Sequence, residues 1–295
     1  MNNPFYILDV FAEDKYAGNQ LAVVMDAGNL TTPQMQQITR EFNFSETTFI
    51  LSDTPRDGGY DVRIFTPAAE VPFAGHPTIG TAFVIQDKIE HWARQTVTLN
   101  LKVGSIPVNY TALDNHQRIL WLKAPQPQFE ACFTPQDFAP ILNLDIADFD
   151  ERFPVQSVST GLPFILVPLR TLDAVRRAKA NLEAFELFLK THNTARMIFL
   201  FCPQTQDPAN HIHCRMFGHL YGVPEDPATG SANSCLAAYL TCYRYFGDSK
   251  IDIRVEQGYE IGRPSLLYLK AHRHNDTFDL RVGGKTHITA AGTLL

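Results

Sequence analysis

The stretch Glu70-Val-Pro-Phe-Ala-Gly75-His76-Pro77-Thr-Ile-Gly-Thr-Ala82-Phe-Val-Ile85 constrains the fold more than any other part of the chain. Its second proline suits the first helical position, where a missing amide donor is one that the helix cannot use internally, so His76 is expected at or beside the cap. Thr78 to Ile85 is then small or apolar on every side, and a helix without a polar face is a buried one. A buried helix that opens on Gly-His offers free backbone N–H groups and a positive dipole end to an anion. The arrangement returns 155 residues later, with Gly230-Ser231 in the place of Gly75-His76 and Ala237 in the place of Ala82, again inside a run that is small and apolar all round. An Arg-x-Phe strand precedes each copy, with Arg63 12 residues before Gly75 and Arg215 15 before Gly230. These features predict a duplicated α+β protein of two pseudo-symmetric lobes, one buried helix in each, both helix starts facing a shared cleft.

A chain of 295 residues is long enough for two such lobes, each with its own core. At 45% hydrophobic and 19% charged residues it is globular in composition, which excludes a disordered or fibrous chain. A net charge of -6 without clustered Lys and Arg argues against nucleic acid as the main partner and for a small ligand. No apolar run is long enough to span a bilayer, and the start lacks the basic region and cleavage site of a signal peptide. Five cysteines, an odd number with no C-x-x-C spacing, fit reduced thiols. A cytoplasmic protein with no membrane association is expected.

The first lobe is expected over residues 1–124. It opens with a strand at Phe5 to Val10, a turn at Ala17-Gly18-Asn19 and a strand at Leu21 to Met25. Thr31-Thr32-Pro33 caps a helix to about Phe42, and the strand Thr47 to Leu51, the Arg63 strand and the first buried helix follow. Alternating strands fill 96–122, with turns at Gly104 and Asp114-Asn115, and the two prolines of Lys123-Ala-Pro-Gln-Pro127 mark a linker. The second lobe, 125–285, repeats this order: a helical entry at 134–150, strands flanking Gly161, a helix at about 182–192, the strand Met197 to Cys202, the Arg215 strand and a second buried helix ended by Gly247. The last strand, about 286–295, returns to the first lobe.

Glu46 stands directly before an apolar strand, where the second copy has Ala195-Arg196 and no acid. On the surface such a residue is ordinary; beside a cleft it is a candidate general acid or base. Asp226 makes a turn with Pro227 in the blander reading, and in the functional one it accepts a hydrogen bond from a substrate hydroxyl or amine. His76 is either a satisfied polar residue at a cap or a cleft histidine that binds a carboxylate and relays a proton. Ser231 is an N-cap candidate; no G-x-S-x-G elbow supports a serine nucleophile. His211-x-His213 and His272-x-His274 have strand spacing that a metal can use, but no third ligand is identifiable, so no metal is expected. The glycine pattern fits neither a dinucleotide fingerprint nor a phosphate loop, so no cofactor is expected.

Ser45-Glu46-Thr-Thr-Phe, Arg63-Ile-Phe-Thr-Pro67, Pro72-Phe-Ala-Gly75-His76-Pro77 and Glu225-Asp226-Pro-Ala-Thr-Gly230-Ser231-Ala, in this order, resemble the phenazine-biosynthesis PhzF family. Asp9-Val-Phe-Ala and Gly18-Asn19-Gln-Leu-Ala-Val-Val24 extend the resemblance to the N-terminus. It implies a diaminopimelate epimerase-like fold: two pseudo-symmetric lobes, each a curved, mostly antiparallel sheet round a central helix, with the active site between them. It implies Glu46 as the acid/base and Gly75, His76, Asp226, Gly230 and Ser231 as substrate-binding residues. The related epimerases carry a cysteine at each helix start, whereas these positions hold Ala74-Gly75-His76 and Thr229-Gly230-Ser231. The resemblance therefore implies a cofactor-independent, biosynthetic isomerase acting on a small carboxylate, a dihydro-hydroxyanthranilate in the best-known member, and a homodimer. An amino-acid epimerase or racemase and a non-catalytic small-acid binding protein are the alternatives.

Overall fold

The computed structural model describes residues 2–113 and 117–295; the turn expected at Asp114-Asn115 lies outside them. The chain divides into two compact units, Met1–Lys123 together with Gly283–Leu295, and Ala124–Val282.

In the first unit the strands are β1 (Asn3–Val10), β2 (Asn19–Val24), β3 (Thr47–Ile50), β4 (Tyr60–Phe65), β5 (Glu70–Val71), β6 (Thr96–Leu101), β7 (Gly104–Ala112), β8 (Arg118–Lys123) and the C-terminal β18 (Thr286–Leu294). They pair in the order β18, β1, β2, β3, β4, β6, β7, β8, parallel at β2–β3 and β4–β6 and antiparallel elsewhere. The second unit contains β9 (Gln128–Phe133), β10 (Val155–Ser159), β11 (Pro163–Pro168), β12 (Ile198–Cys202), β13 (Ile212–Gly218), β14 (Val223–Asp226), β15 (Lys250–Gln257), β16 (Ser265–His274) and all but the last two residues of β17 (Thr277–Gly284). It repeats the order as β9, β10, β11, β12, β13, β15, β16, again parallel at β11–β12 and β13–β15.

One face of each sheet holds an all-round apolar helix, α2 (Gly75–Val84) in the first unit and α6 (Gly230–Cys242) in the second. Ala232 to Thr241 of α6 are all buried, as an apolar helix without a polar stripe must be. The alternation of a strand divides the faces: Thr48 of β3 reaches Thr81 of α2, hydroxyl to hydroxyl at 2.7 Å, while its neighbour Phe49 packs with Met35 of α1 (Thr32–Phe42) on the other side. In the second unit that other face carries α3 (Pro135–Leu142), α4 (Leu172–Arg177) and α5 (Leu182–Thr191), packed through Phe138, Ile141, Val175, Phe185 and Phe188.

Residue-level register makes the duplication explicit. Phe65 pairs with Thr47 in the first unit, and Phe217 with Ile198 in the second. Ile64 faces Val71 across the short β4–β5 pair, and Met216 faces Asp226 across β13–β14. Each Arg-x-Phe arginine forms a bidentate pair with the glutamate five residues ahead of the following helix: Arg63 Nε and Nη2 donate to Glu70 at 2.8 Å, and Arg215 Nε and Nη2 donate to Glu225 at 2.9 and 2.7 Å. Both guanidinium groups also lie over the phenylalanine of their own motif, 5.1 Å from the Phe65 ring centre and 4.7 Å from that of Phe217. Hydrogen bonding to Arg63 is the main reason the Glu70 carboxyl titrates down at about 2. The arginines thus clamp the segment that delivers the chain to each buried helix.

Some local expectations change. Helix α2 starts at Gly75, so Pro77 is its third residue and His76 lies inside the first turn rather than at the cap; the missing proline donor is still one of the unused first-turn groups. The helix then widens into a π-helical turn at Ile85–Ile89. Helix α6 stops at Cys242, ahead of Gly247. Strand β9 follows directly on the proline linker, and α4 is too short to leave a periodic signal in the sequence.

Candidate active site

Glu46 is the residue immediately before β3, and His76 the second residue of α2. The Thr48–Thr81 hydroxyl pair ties that strand to that helix, and Thr81 donates onward to the Pro77 carbonyl at 2.7 Å. The side chains of Glu46 and His76 are brought together, Oε2 to Nε2, at 3.5 Å, and are 18% and 7% exposed. Glu46 is therefore largely withdrawn from water. Burial pushes the His76 imidazole down to about 3, against a smaller upward pull from its hydrogen bond to the Gln20 backbone. A backbone carbonyl accepts only, so the ring proton sits on Nδ1 and Nε2 presents a lone pair. Nε2 makes no hydrogen bond among the described residues. A contact of 3.5 Å is too long to repay burying an imidazolium, so this is a neutral histidine beside a carboxyl group and not an ion pair. In this form Nε2 can accept a hydrogen bond or a proton.

In the second unit Asp226 ends β14 and is buried. Thr229, three residues on, donates its hydroxyl to Asp226 Oδ2 at 2.5 Å. Thr229 is also the N-cap residue of α6, yet its side chain caps nothing, and neither does that of Ala74 at the start of α2. Three polar-capped helices of the second unit differ: Thr134, Thr171 and Asn181 each accept from a first-turn N–H. The first-turn amides of the two buried helices are thus left without the side-chain cap that others have, with Gly75 and His76 in one first turn and Gly230 and Ser231 in the other. Ser231 is the second residue of α6, not its cap.

The structure adds three residues that sequence reasoning passed over: Gln20, whose carbonyl sets the His76 tautomer, Thr229, and Gln257, whose buried amide lies against the Asp226 segment. Thr229 stood inside a motif already marked and was read only as part of it. Nothing in the sequence signals Gln257, which is 31 positions from Asp226 and reaches it only through the β13–β15 pairing. Strand register also moves the counterpart of Glu46 in the second copy to Met197, one residue beyond the Ala195-Arg196 pair.

The histidine pairs take other roles. His213 is buried between Glu256 and Glu260, at 2.8 and 2.9 Å from its two ring nitrogens. Burial alone would lower its proton affinity, and the two carboxylates more than reverse this, so its titration is raised. His211 accepts from the Arg254 backbone N–H, and the rings of His272 and His274 lie 3.6 Å apart. Among the described residues no group of three or more His, Cys, Asp or Glu is placed to hold a metal ion. No helix among them is long and apolar enough to cross a membrane.

Comparison with known proteins shows the family. Residues 8–292 match the family model described as phenazine biosynthesis-like protein, PhzC-PhzF. The chain is 33% identical over 295 residues to the trans-2,3-dihydro-3-hydroxyanthranilate isomerase of Pseudomonas fluorescens, covering 99% of each chain. It superposes on the crystal structure of the Bacillus anthracis PhzF-family phenazine biosynthesis protein with a TM-score of 0.89 and 28% identity, over 100% of this chain and 99% of that one. A probable proline racemase from Agrobacterium radiobacter shares the fold alone, with a TM-score of 0.61 and 11% identity over 99% of this chain and 93% of that one.

Proposed function

The chain belongs to the phenazine biosynthesis-like PhzC-PhzF family and is an isomerase, and from that premise we propose that it shifts a proton between two carbons of a small carboxylate. Glu46 removes the proton from one carbon and returns it to another. The substrate's formula is unchanged and no electrons leave it, so the step calls for no redox group; with Glu46 supplying the acid/base chemistry, the proposed step is a cofactor-independent one. The uncapped amides at Gly75-His76, with the positive end of α2, hold the substrate carboxylate and the charge that builds as the proton leaves, and those at Gly230-Ser231, with the positive end of α6, are substrate-binding donors of the same kind. His76, neutral, accepts a hydrogen bond from the substrate or takes the proton in transit through Nε2. Asp226 accepts from a substrate hydroxyl or amine and so orients the substrate.

The observation that carries this proposal is the pairing of Glu46 with a neutral His76 in a largely buried position beside an uncapped helix start. A two-base racemase has less support. It needs a second base across from the first, yet the position equivalent to Glu46 holds Met197, and neither helix start carries a cysteine. A non-catalytic binding protein has no use for that pair. Trans-2,3-dihydro-3-hydroxyanthranilate, named for the relatives, is the first substrate to test. In deuterated water, NMR of the product should show deuterium at a new carbon with the double bond moved, and Glu46→Gln should abolish both. Label confined to an inverted centre would instead establish epimerisation, and unchanged turnover by Glu46→Gln would remove Glu46 from the mechanism. A homodimer and a cytoplasmic, biosynthetic setting belong to the same proposal, supported by the family and by five free thiols; sedimentation of the purified chain tests the dimer.

A further inference from the structure

Gln257 is fully buried, and apart from a 3.8 Å contact from the Cys214 thiol to Oε1 its side-chain amide is spent on one short segment. Oε1 accepts from the Thr229 backbone N–H and from Asn233 Nδ2, both at 3.1 Å. Nε2 donates to the Asp226 carbonyl at 2.8 Å and to the Thr229 hydroxyl at 2.9 Å. The backbone partners remove the usual ambiguity of an amide: an N–H can only donate and a C=O can only accept, so oxygen and nitrogen are fixed at their ends. The Thr229 hydroxyl, receiving a proton from Nε2, must direct its own elsewhere, and Asp226 Oδ2 at 2.5 Å is where it goes. A directed chain therefore runs from Gln257 through Thr229 to Asp226. Gly258 presses the same strand end against the loop: its φ is +79°, and an added Cβ would lie 2.5 Å from the Pro227 carbonyl oxygen.

The ordinary explanation is that this network holds the start of α6 in place. The duplicated unit tests that explanation, because strand register identifies the equivalent positions. Asp226 corresponds to Val71 through the β4–β5 and β13–β14 pairs. Thr229 corresponds to Ala74, each the N-cap residue of its helix. Gln257 corresponds to Leu101, each two residues beyond the strand position that pairs with the start of the arginine strand, Leu99 with Tyr60 and Val255 with Ile212. The first unit thus builds the same helix start, behind the same arginine clamp, with an apolar trio. The polar trio is not needed to hold such a helix.

We propose that Gln257, acting through Thr229, is a positioning residue that fixes the Asp226 carboxylate for the substrate. This rests on the function proposed above, in which Asp226 orients the substrate. The relay occupies Oδ2 with a donated proton and so sets the rotation of the carboxylate and the direction in which it accepts. Buried polar networks of this kind are costly when half satisfied, which is why all three members are polar in one copy and all three apolar in the other.

The test is a set of double-mutant cycles on the full chain, with trans-2,3-dihydro-3-hydroxyanthranilate as the probe. Thr229→Val should lower kcat by about 10-fold or more with KM changed far less, and Thr229→Ser should restore it. In an Asp226→Asn background neither Thr229→Val nor Gln257→Leu should cost anything further, because the relay then has nothing to position. Full additivity, or a Thr229→Val enzyme with unchanged kcat, would overturn the proposal. If Gln257→Leu does not fold, Gln257→Glu and the two Thr229 variants decide the matter. A substrate-free arm separates this inference from the function it rests on: in nitrogen-15 NMR, Thr229→Val should move one of the two Gln257 side-chain amide protons toward its free position. An unmoved pair would refute the relay even if the enzyme turns over, and a moved proton would sustain it even if this probe is not the substrate.

Discussion

At the scale of single residues, burial decides what Glu46 and His76 are able to do. Replacing Glu46 by Gln keeps its shape and removes its basicity, so turnover should fall by about 100-fold or more, the range expected of a general acid–base group, with little change in thermal stability. His76 leaves a signature in stability itself. Its folded form titrates near 3 because burial disfavours the imidazolium, against about 6.5 when unfolded. Between those values the unfolded chain binds a proton that the folded chain refuses, so His76 makes unfolding easier as the pH falls from 6.5 towards 3 and has no effect above 7. Denaturant unfolding should therefore show a shallower acid slope in His76→Gln than in the parent, by about 1.4 kcal/mol per pH unit. His213 has the opposite sign. Its folded form is raised by Glu256 and Glu260, so its contribution is full below 6.5 and disappears as the pH rises through the folded value. His213→Gln should accordingly lose more stability at pH 6 than at pH 9, measured in the same way.

At the scale of elements, the two arginine clamps perform one task with different margins. Arg215 and Glu225 are about one-tenth exposed, whereas Arg63 is a quarter exposed and Glu70 has a second cation in Lys102 at 2.7 Å. Arg215→Ala leaves a buried carboxylate without its partner and should cost about 3–5 kcal/mol. Arg63→Ala leaves Glu70 with Lys102 and should cost about 1–2 kcal/mol. Paired denaturant curves would show the order, and equal losses would contradict the difference in margin. The buried helices themselves were legible in the sequence, because a run with no polar face has only one place to go. Their starts were legible to within two residues, since a proline fits any of the first-turn positions that lack an internal acceptor. What was not legible is the polar trio behind Asp226: Gln257 meets Thr229 only through sheet pairing, and no local pattern encodes a contact across 28 positions. The counterpart of Glu46 was misplaced by one residue for the same reason, since strand register is set by partners and not by the strand alone.

At the scale of the whole molecule, one framework has been used twice and given different chemistry each time. The first copy carries Glu46 and His76, and the second carries Met197 and Ser231 in their places; the second carries Asp226, Thr229 and Gln257, and the first carries Val71, Ala74 and Leu101. The roles proposed for Glu46 and His76 fall in one copy, and that proposed for Asp226 falls in the other. The most direct measurement is a crystal structure with a non-isomerisable aromatic analogue of trans-2,3-dihydro-3-hydroxyanthranilate. The account predicts a bound molecule whose carboxylate takes hydrogen bonds from the uncapped first-turn amides of α2, with Glu46 within reach of the carbon that would carry the proton. A ligand bound with Glu46 out of reach, or with its carboxylate away from those amides, would contradict it.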